Sequence, residues 1–161
     1  MRVLRTVHLF LGLAGSGKST LARQLAADGA AVRFTLDEWM IRLYPGLGID
    51  APEYGERASN ARELIWSVAE QVLLTGADVV LDWNSWSRER RAWAVERAGA
   101  AGAQVVLHVL GASIDLASSR AADRTAAGSP HSHAVTREGN VHLARLIEPP
   151  EESEGLVIVR H

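Results

Sequence analysis

The stretch Thr6 to Leu25, TVHLFLGLAGSGKSTLARQL, restricts the possible folds of this chain more than any other. An apolar run (Val7 to Leu11) leads into a glycine-rich turn (Gly12 to Gly17), and a helical pattern opens at Lys18. The turn Gly12-Leu13-Ala14-Gly15-Ser16-Gly17-Lys18-Ser19 satisfies G-x-x-x-x-G-K-[ST] without a mismatch. Glycines permit backbone angles and close approaches that a Cβ would forbid. The N–H groups of such a turn converge on phosphate oxygens, assisted by the positive end of the following helix dipole. Gly12, Ala14, Gly15, Ser16, Gly17, Lys18, Ser19 and Thr20 are therefore the expected nucleotide-binding residues. Lys18 suits the β and γ phosphates, and the Ser19 hydroxyl suits Mg²⁺. The motif predicts binding of a nucleoside triphosphate, with ATP and Mg²⁺ as the expected cofactors.

The rest of the chain alternates strand and helix patterns, which predicts an α/β fold on a mainly parallel sheet. Strands are expected at Val7 to Leu11, Ala31 to Thr35, Asp78 to Asp82, Gln104 to Leu110 and Leu156 to Val159. Helices are expected at Lys18 to Ala27, Glu38 to Tyr44, Glu56 to Thr75, Arg88 to Ala100, Ile114 to Ala126 and Val135 to Ile147. Neither a linker nor a repeat divides these elements, so residues 1–161 are expected to form a single domain.

Composition narrows the function. A net charge of −2 exerts no overall pull toward nucleic acid or an anionic membrane. The absence of cysteine excludes disulfides, thiolate metal sites and thiol catalysis, and fits a cytoplasmic location. Lys18 is the only lysine among 17 basic residues, in the position where a compact ammonium suits phosphates better than a planar fork. Arg2, Arg5 and the following apolar run mimic a secretion signal. That run is short and continues straight into the glycine-rich turn, so it is read as the first strand. No stretch reaches transmembrane length, and no membrane partner is expected.

In open parallel sheets ligands lie outside the carboxyl ends of the strands. This rule selects Asp37 after the second strand and Asp82 at the end of the third. Asp37 is expected to orient and deprotonate an acceptor hydroxyl, with capping of the next helix as the alternative. For Asp82, holding Mg²⁺ and orienting the acceptor remain open beside a plain turn role. Arg120 and Arg124, four residues apart and so on one helix face, are expected to reach the transferring phosphoryl group from a helical lid near residues 114–137. Arg137 is a further lid candidate, and a solvated face paired with Asp115 and Asp123 is the competing reading.

All five tryptophans fall between the second strand and the helix after the third. Trp66 and Trp93 are expected in the core, whereas Trp39, Trp83 and Trp86, with Arg42, are expected to meet the acceptor. Asp37, Glu38, Asp50, Glu53 and Glu56 occupy the same half. This predicts an acidic, aromatic pocket suited to a cationic or sugar-like small molecule. Arg88, Arg90 and Arg91 are expected to form a solvated face, the alternative being contact with an acceptor phosphate. His131-Ser132-His133 has no third partner that would make it a metal site.

With these residues in place the sequence resembles the small P-loop kinases, a group that includes polynucleotide kinases, chloramphenicol phosphotransferase, zeta toxins and gluconate kinases. Within that group it is most similar to the short bacterial AAA-type ATP-binding proteins. The likeness is carried by Gly12 to Thr20, Leu36-Asp37-Glu38, Val79 to Asn84 with Ser87 to Arg91, the Arg120 and Arg124 pair, and Glu148-Pro149-Pro150. It implies a P-loop NTPase fold with strand order 2-3-1-4-5, Mg-ATP as donor, Asp37 as the residue that engages the acceptor hydroxyl, and Arg120 or Arg124 in the lid role. It also implies that the Pro149-Pro150 turn lies by the adenine. Polynucleotide kinases carry an arginine soon after the aspartate, for the acceptor's phosphate. Here Arg42 follows Asp37 by five residues, which favours a small-molecule acceptor (an antibiotic, sugar or nucleoside-like compound) over a nucleic acid. A third reading is an ATP-dependent switch whose lid closure is read by a partner protein. No motif encodes the oligomeric state.

Overall fold

The computed structural model describes residues 3–128 and 135–161. The His131-Ser132-His133 segment, and residues 129–134 of the expected lid, lie outside the described residues.

Five parallel strands form one sheet in the order β2-β3-β1-β4-β5, the order implied by the kinase resemblance. Strand β1 (Arg5–Leu11) sits at the centre, between β3 (Asp78–Asn84) and β4 (Ala103–Val109). Strands β2 (Ala31–Thr35) and β5 (Val157–Arg160) form the edges. The central strands are apolar on both faces because helices cover both sides. Val7, Leu9 and Leu11 of β1 join the larger core with Val79, Leu81, Val105 and Leu107. Phe10 and Val80 point the other way, against Ala22 of α1 (Lys18–Ala27).

The larger core is closed by α2 (Leu36–Leu43), the long α3 (Tyr54–Thr75) and α4 (Arg88–Ala100). Trp66 and Trp93 meet there edge-on at 6.0 Å, as expected of core residues. Helices α5 (Ile114–Ala126) and α6 (Arg137–Leu146) pack on each other at the carboxyl end of the sheet. No helix among the described residues is long and apolar enough to cross a membrane.

One expectation about the arginines needs correction. Arg91 is not part of a solvated face: its side chain is fully buried and donates to Glu154 at 2.6 and 2.9 Å and to the Ser85 and Trp86 carbonyls. That pairing draws the 3₁₀ turn Glu152–Glu154 onto α4. The backbone N–H of Glu148 donates to Trp86, and its carboxylate accepts from the Arg88 N–H at 2.6 Å. The Pro149-Pro150 turn is thereby tied to the head of α4 and does not line the cleft described below.

Candidate functional site

The glycine turn between β1 and α1 is held from two sides before any ligand is considered. Asn84, at the end of β3, donates to the Gly12 carbonyl at 2.8 Å and accepts from its N–H at 3.4 Å. Asn140 of α6, fully buried, accepts from the Ala14 N–H at 2.9 Å and donates to the Ala14 carbonyl at 3.0 Å and to Ser118 of α5 at 3.1 Å. One side chain thus clasps the loop to both α5 and α6. Gly15 is required here: its φ is +86°, and an added Cβ would stand 1.9 Å from the Ala117 carbonyl of α5. The Leu21 N–H makes the first helical bond, to Gly17. The N–H groups of Lys18, Ser19 and Thr20 belong to the first turn of α1, which has no helical acceptors, and these three residues line the cleft. Ala14 lines the same cleft, but its N–H is committed to Asn140.

Lys18 folds back on the loop and donates to the Gly12 and Leu13 carbonyls at 2.9 and 2.7 Å. Burial lowers its pKa to about 8, with Asp82 and Asp37 opposing that shift and Arg124 adding to it. These effects put Asp37, Asp82 and Arg124 within electrostatic reach of Lys18. Ser19 donates from its hydroxyl to Asp82 Oδ1 at 3.2 Å. Asp82 is buried, and its second oxygen accepts from Arg33 Nε and Nη2 at 2.9 and 2.6 Å. The Ser19 hydroxyl and the Asp82 carboxylate form a pair of hard oxygen donors at the edge of the cleft. That set fits Mg²⁺, which binds through one or two protein oxygens and completes its shell with phosphate and water. Among the described residues no cluster of three His, Asp or Glu side chains exists that would hold a metal without such help.

Asp37 lies in the first turn of α2, which begins at Leu36. The helix starts earlier than the sequence suggested and Thr35 takes the N-cap position, so Asp37 is not the cap. It lines a cleft of about 820 Å³ together with Lys18, Asp82, Arg120 and Arg124. Arg124 is half-buried and Arg120 exposed. Neither joins an ion pair with Asp115 or Asp123 among the described residues; Asp115 pairs instead with Arg137 at 2.9 Å on the surface. Arg137 accordingly does not line the cleft.

The expected acceptor side chains divide. Trp83 is buried against Trp93 and also lines the cleft. Trp39 packs on Phe34 and the core, Trp86 stacks under the Arg90 guanidinium at 4.9 Å, and neither is among the lining residues. Arg42 is exposed and paired with Glu38 one helical turn away. Asp50, Glu53 and Glu56 are exposed and do not line the cleft, where Asp37 and Asp82 are outnumbered by Lys18 and the arginines, so the pocket is not acidic. In their place Tyr54, Arg62 and Arg90 form the far wall. Tyr54, Ala58 and Arg62 recur every four residues along α3, a spacing that places them on one face and that could have revealed the wall in advance.

Comparison with known proteins follows the same lines. Residues 7–150 match a protein family described as AAA domain. No curated protein matches the sequence. Among solved structures the chain is similar to the Mycobacterium tuberculosis APS kinase CysC, solved in complex with AMPPNP and APS. That likeness has 27% identity and a TM-score of 0.57 and covers 78% of this chain and 73% of that one. It is similar to a gluconokinase from Sinorhizobium meliloti 1021 at 18% identity, over 98% of this chain and 82% of that one, with a TM-score of 0.58. It is also similar to a chain of the Pnkp1/Rnl/Hen1 RNA repair complex at 19% identity, over 91% of this chain, with a TM-score of 0.73. Only 45% of that longer chain is covered. The last two likenesses are likenesses of fold.

Proposed function

This chain belongs to the AAA-domain family, and from that premise we propose that it is an ATP- and Mg²⁺-dependent kinase that phosphorylates a hydroxyl of a small-molecule acceptor. The observation that carries this reading is the position of Asp37, in one cleft with Lys18 on the donor side and Tyr54 on the other. A carboxylate so located can receive the acceptor's proton while the acceptor oxygen attacks the γ-phosphorus. The bond from that phosphorus to the bridging oxygen then breaks, and ADP leaves with the electron pair.

The first-turn amides of α1 and Lys18 hold the phosphates. Arg124 and Arg120 reach the transferring group from α5, where guanidinium groups suit charge spread over the equatorial oxygens. Ser19 and Asp82 would hold Mg²⁺, which when bound offsets the charge of the β and γ phosphates. Asn84 and Asn140 keep the loop in its binding shape.

Removing Asp37 tests this directly. Asp37→Ala should abolish transfer of labelled γ-phosphate to an acceptor while ATP still binds with wild-type affinity. Equal transfer by the variant would reject the role. A polynucleotide 5′-hydroxyl kinase is the second reading, favoured by the fold likeness to the RNA repair complex. Steeply salt-dependent activity on an oligonucleotide would support it.

A further inference from the structure

The acceptor end of the cleft carries more positive charge than a neutral alcohol requires. Arg62 from α3 and Arg90 from α4 both line it, beside Tyr54 and Asp37. Both are half-buried, and neither takes part in any of the six ion pairs among the described residues. Helix α4 makes the contrast within itself. Arg88 pairs with Glu151, Arg91 with Glu154 and Arg97 with Glu63. Arg90 has no carboxylate within 4.0 Å among the described residues; its Nη1 donates to the Asn84 carbonyl at 3.2 Å and its head rests on the Trp86 ring. These contacts fix the guanidinium without neutralising it. The acidic neighbour of Arg62, Glu63, is already engaged by Trp93 Nε1 at 2.7 Å and by Arg97 at 2.7 and 2.9 Å.

Two guanidinium groups held near each other and partly desolvated are costly unless an anion lies between them. Burial lowers the pKa of both, and the charge of Arg62 lowers that of Arg90 further, with Tyr54 opposing at both sites, Glu63 at Arg62 and Glu89 at Arg90. Burial, and then Asp37, raise the pKa of Tyr54, with the charges of Arg62 and Arg90 opposing that shift, so both guanidinium groups lie within electrostatic reach of its ring. Planar donor forks of this kind match a tetrahedral oxyanion bidentately.

We propose that Arg62 and Arg90 form an anion subsite for a phosphate group of the acceptor, so that the substrate is a small phosphate ester whose free hydroxyl meets Asp37. The proposal rests on the kinase reading for the position of that hydroxyl only; the anion subsite can be tested without it. The subsite lies within the same cleft of about 820 Å³ rather than along an exposed basic stripe, and the chain has a net charge of −2. Both facts favour a small ester over a polymer.

The test has two arms. Inorganic phosphate is titrated calorimetrically into the protein saturated with Mg-AMPPNP, so that the phosphate loop is filled. Saturable binding is expected, with affinity falling about 10- to 100-fold in Arg62→Gln and in Arg90→Gln, and less in the charge-retaining Arg62→Lys and Arg90→Lys. Melting curves of each variant verify folding. Equal phosphate binding by wild type and both glutamine variants would overturn the subsite. In the second arm, alcohols are assayed in pairs with and without a phosphate (glycerol and glycerol 3-phosphate, ribose and ribose 5-phosphate, adenosine and adenosine 3′-monophosphate) beside a 5′-hydroxyl oligonucleotide. The phosphorylated member should have the higher kcat/KM, and that advantage should vanish in the glutamine variants. Preference for the neutral member, or for the oligonucleotide above every small ester, would overturn the assignment of substrate class. Phosphate binding lost in the variants, with no alcohol phosphorylated, would leave the subsite standing and remove the kinase reading.

Discussion

The Ser19 hydroxyl donates to Asp82 Oδ1 across 3.2 Å, joining the start of α1 to the end of β3. Asp82 is fixed in turn by the two bonds from Arg33, so its free oxygen sites face Ser19 and the cleft. Asp82→Asn should weaken apparent Mg²⁺ affinity about 10- to 100-fold, as loss of a metal-orienting carboxylate does. A magnesium titration of nucleotide binding measures this. An unchanged midpoint would make Asp82 a partner of Arg33 alone.

Arg124 influences the charge of Lys18, whereas no such coupling ties Arg120 to it. Arg124→Ala should therefore lower kcat by about 10³-fold or more, with ATP affinity within a few-fold of wild type. Arg120→Ala should have the smaller effect. A loss confined to ATP affinity would put these arginines on the nucleotide instead of the transferring group.

The lowered pKa of Lys18, about 8, makes nucleotide binding pH-dependent. Triphosphate oxygens favour the charged ammonium and raise its pKa on binding, so a neutral Lys18 must take up a proton. Near pH 8 the uptake should be about half a proton, and affinity should fall as pH rises above 8. Calorimetry in buffers of different ionisation enthalpy reads the number directly. Proton release would contradict the assignment.

Asn140 is buried with both of its amide groups satisfied by Ala14 and Ser118. Asn140→Ala leaves the Ala14 N–H and carbonyl without these partners and should cost about 1–3 kcal/mol of stability. It should also weaken nucleotide binding, because the loop loses its tie to α5 and α6. Urea melts and a nucleotide titration check both halves. Wild-type values in each would show the clasp to be dispensable.

His8, His108 and His161 form a hydrogen-bonded chain with ring nitrogens 3.0 Å apart at each step. Burial, then the charges of His8 and His161, lower the pKa of His108 from 6.5 to about 4. The unfolded chain therefore binds a proton between those values that the folded chain refuses. Stability is full above about pH 6.5 and is lost as pH falls toward 4. The loss by pH 5 should be on the order of 2 kcal/mol, and His108→Gln should flatten it. Urea midpoints at pH 7.5 and pH 5 decide; identical pH profiles would remove His108 as the cause.

What the sequence revealed was what is local. The glycine turn, Lys18 and Ser19 are contiguous, and the α/β alternation placed Asp37 and Asp82 at strand ends by a general rule of parallel sheets. The far wall of the cleft was hidden for two different reasons. Arg90 and Arg91 are neighbours in sequence but project about 100° apart on a helix, so one enters the cleft while the other is buried against Glu154. Reading them as one cluster erased that difference. Of the acidic residues counted toward the pocket, Asp37 lines it, whereas Asp50, Glu53 and Glu56 lie on outward-facing positions, which only the phase of α3 and the course of its preceding loop decide. Asn140 stands 126 residues from Ala14, and nothing near it in sequence announces the contact.

Transfer of the phosphoryl group to an alcohol, rather than its release to water, is what separates a kinase from a nucleotide-hydrolysing switch. Phosphorus NMR of the protein with Mg-ATP and the phosphorylated alcohols measures it most directly. One new phosphate-ester resonance per ADP formed is expected, at the expense of the γ-phosphate. Stoichiometric growth of inorganic phosphate, with no new ester for any alcohol offered, would contradict it.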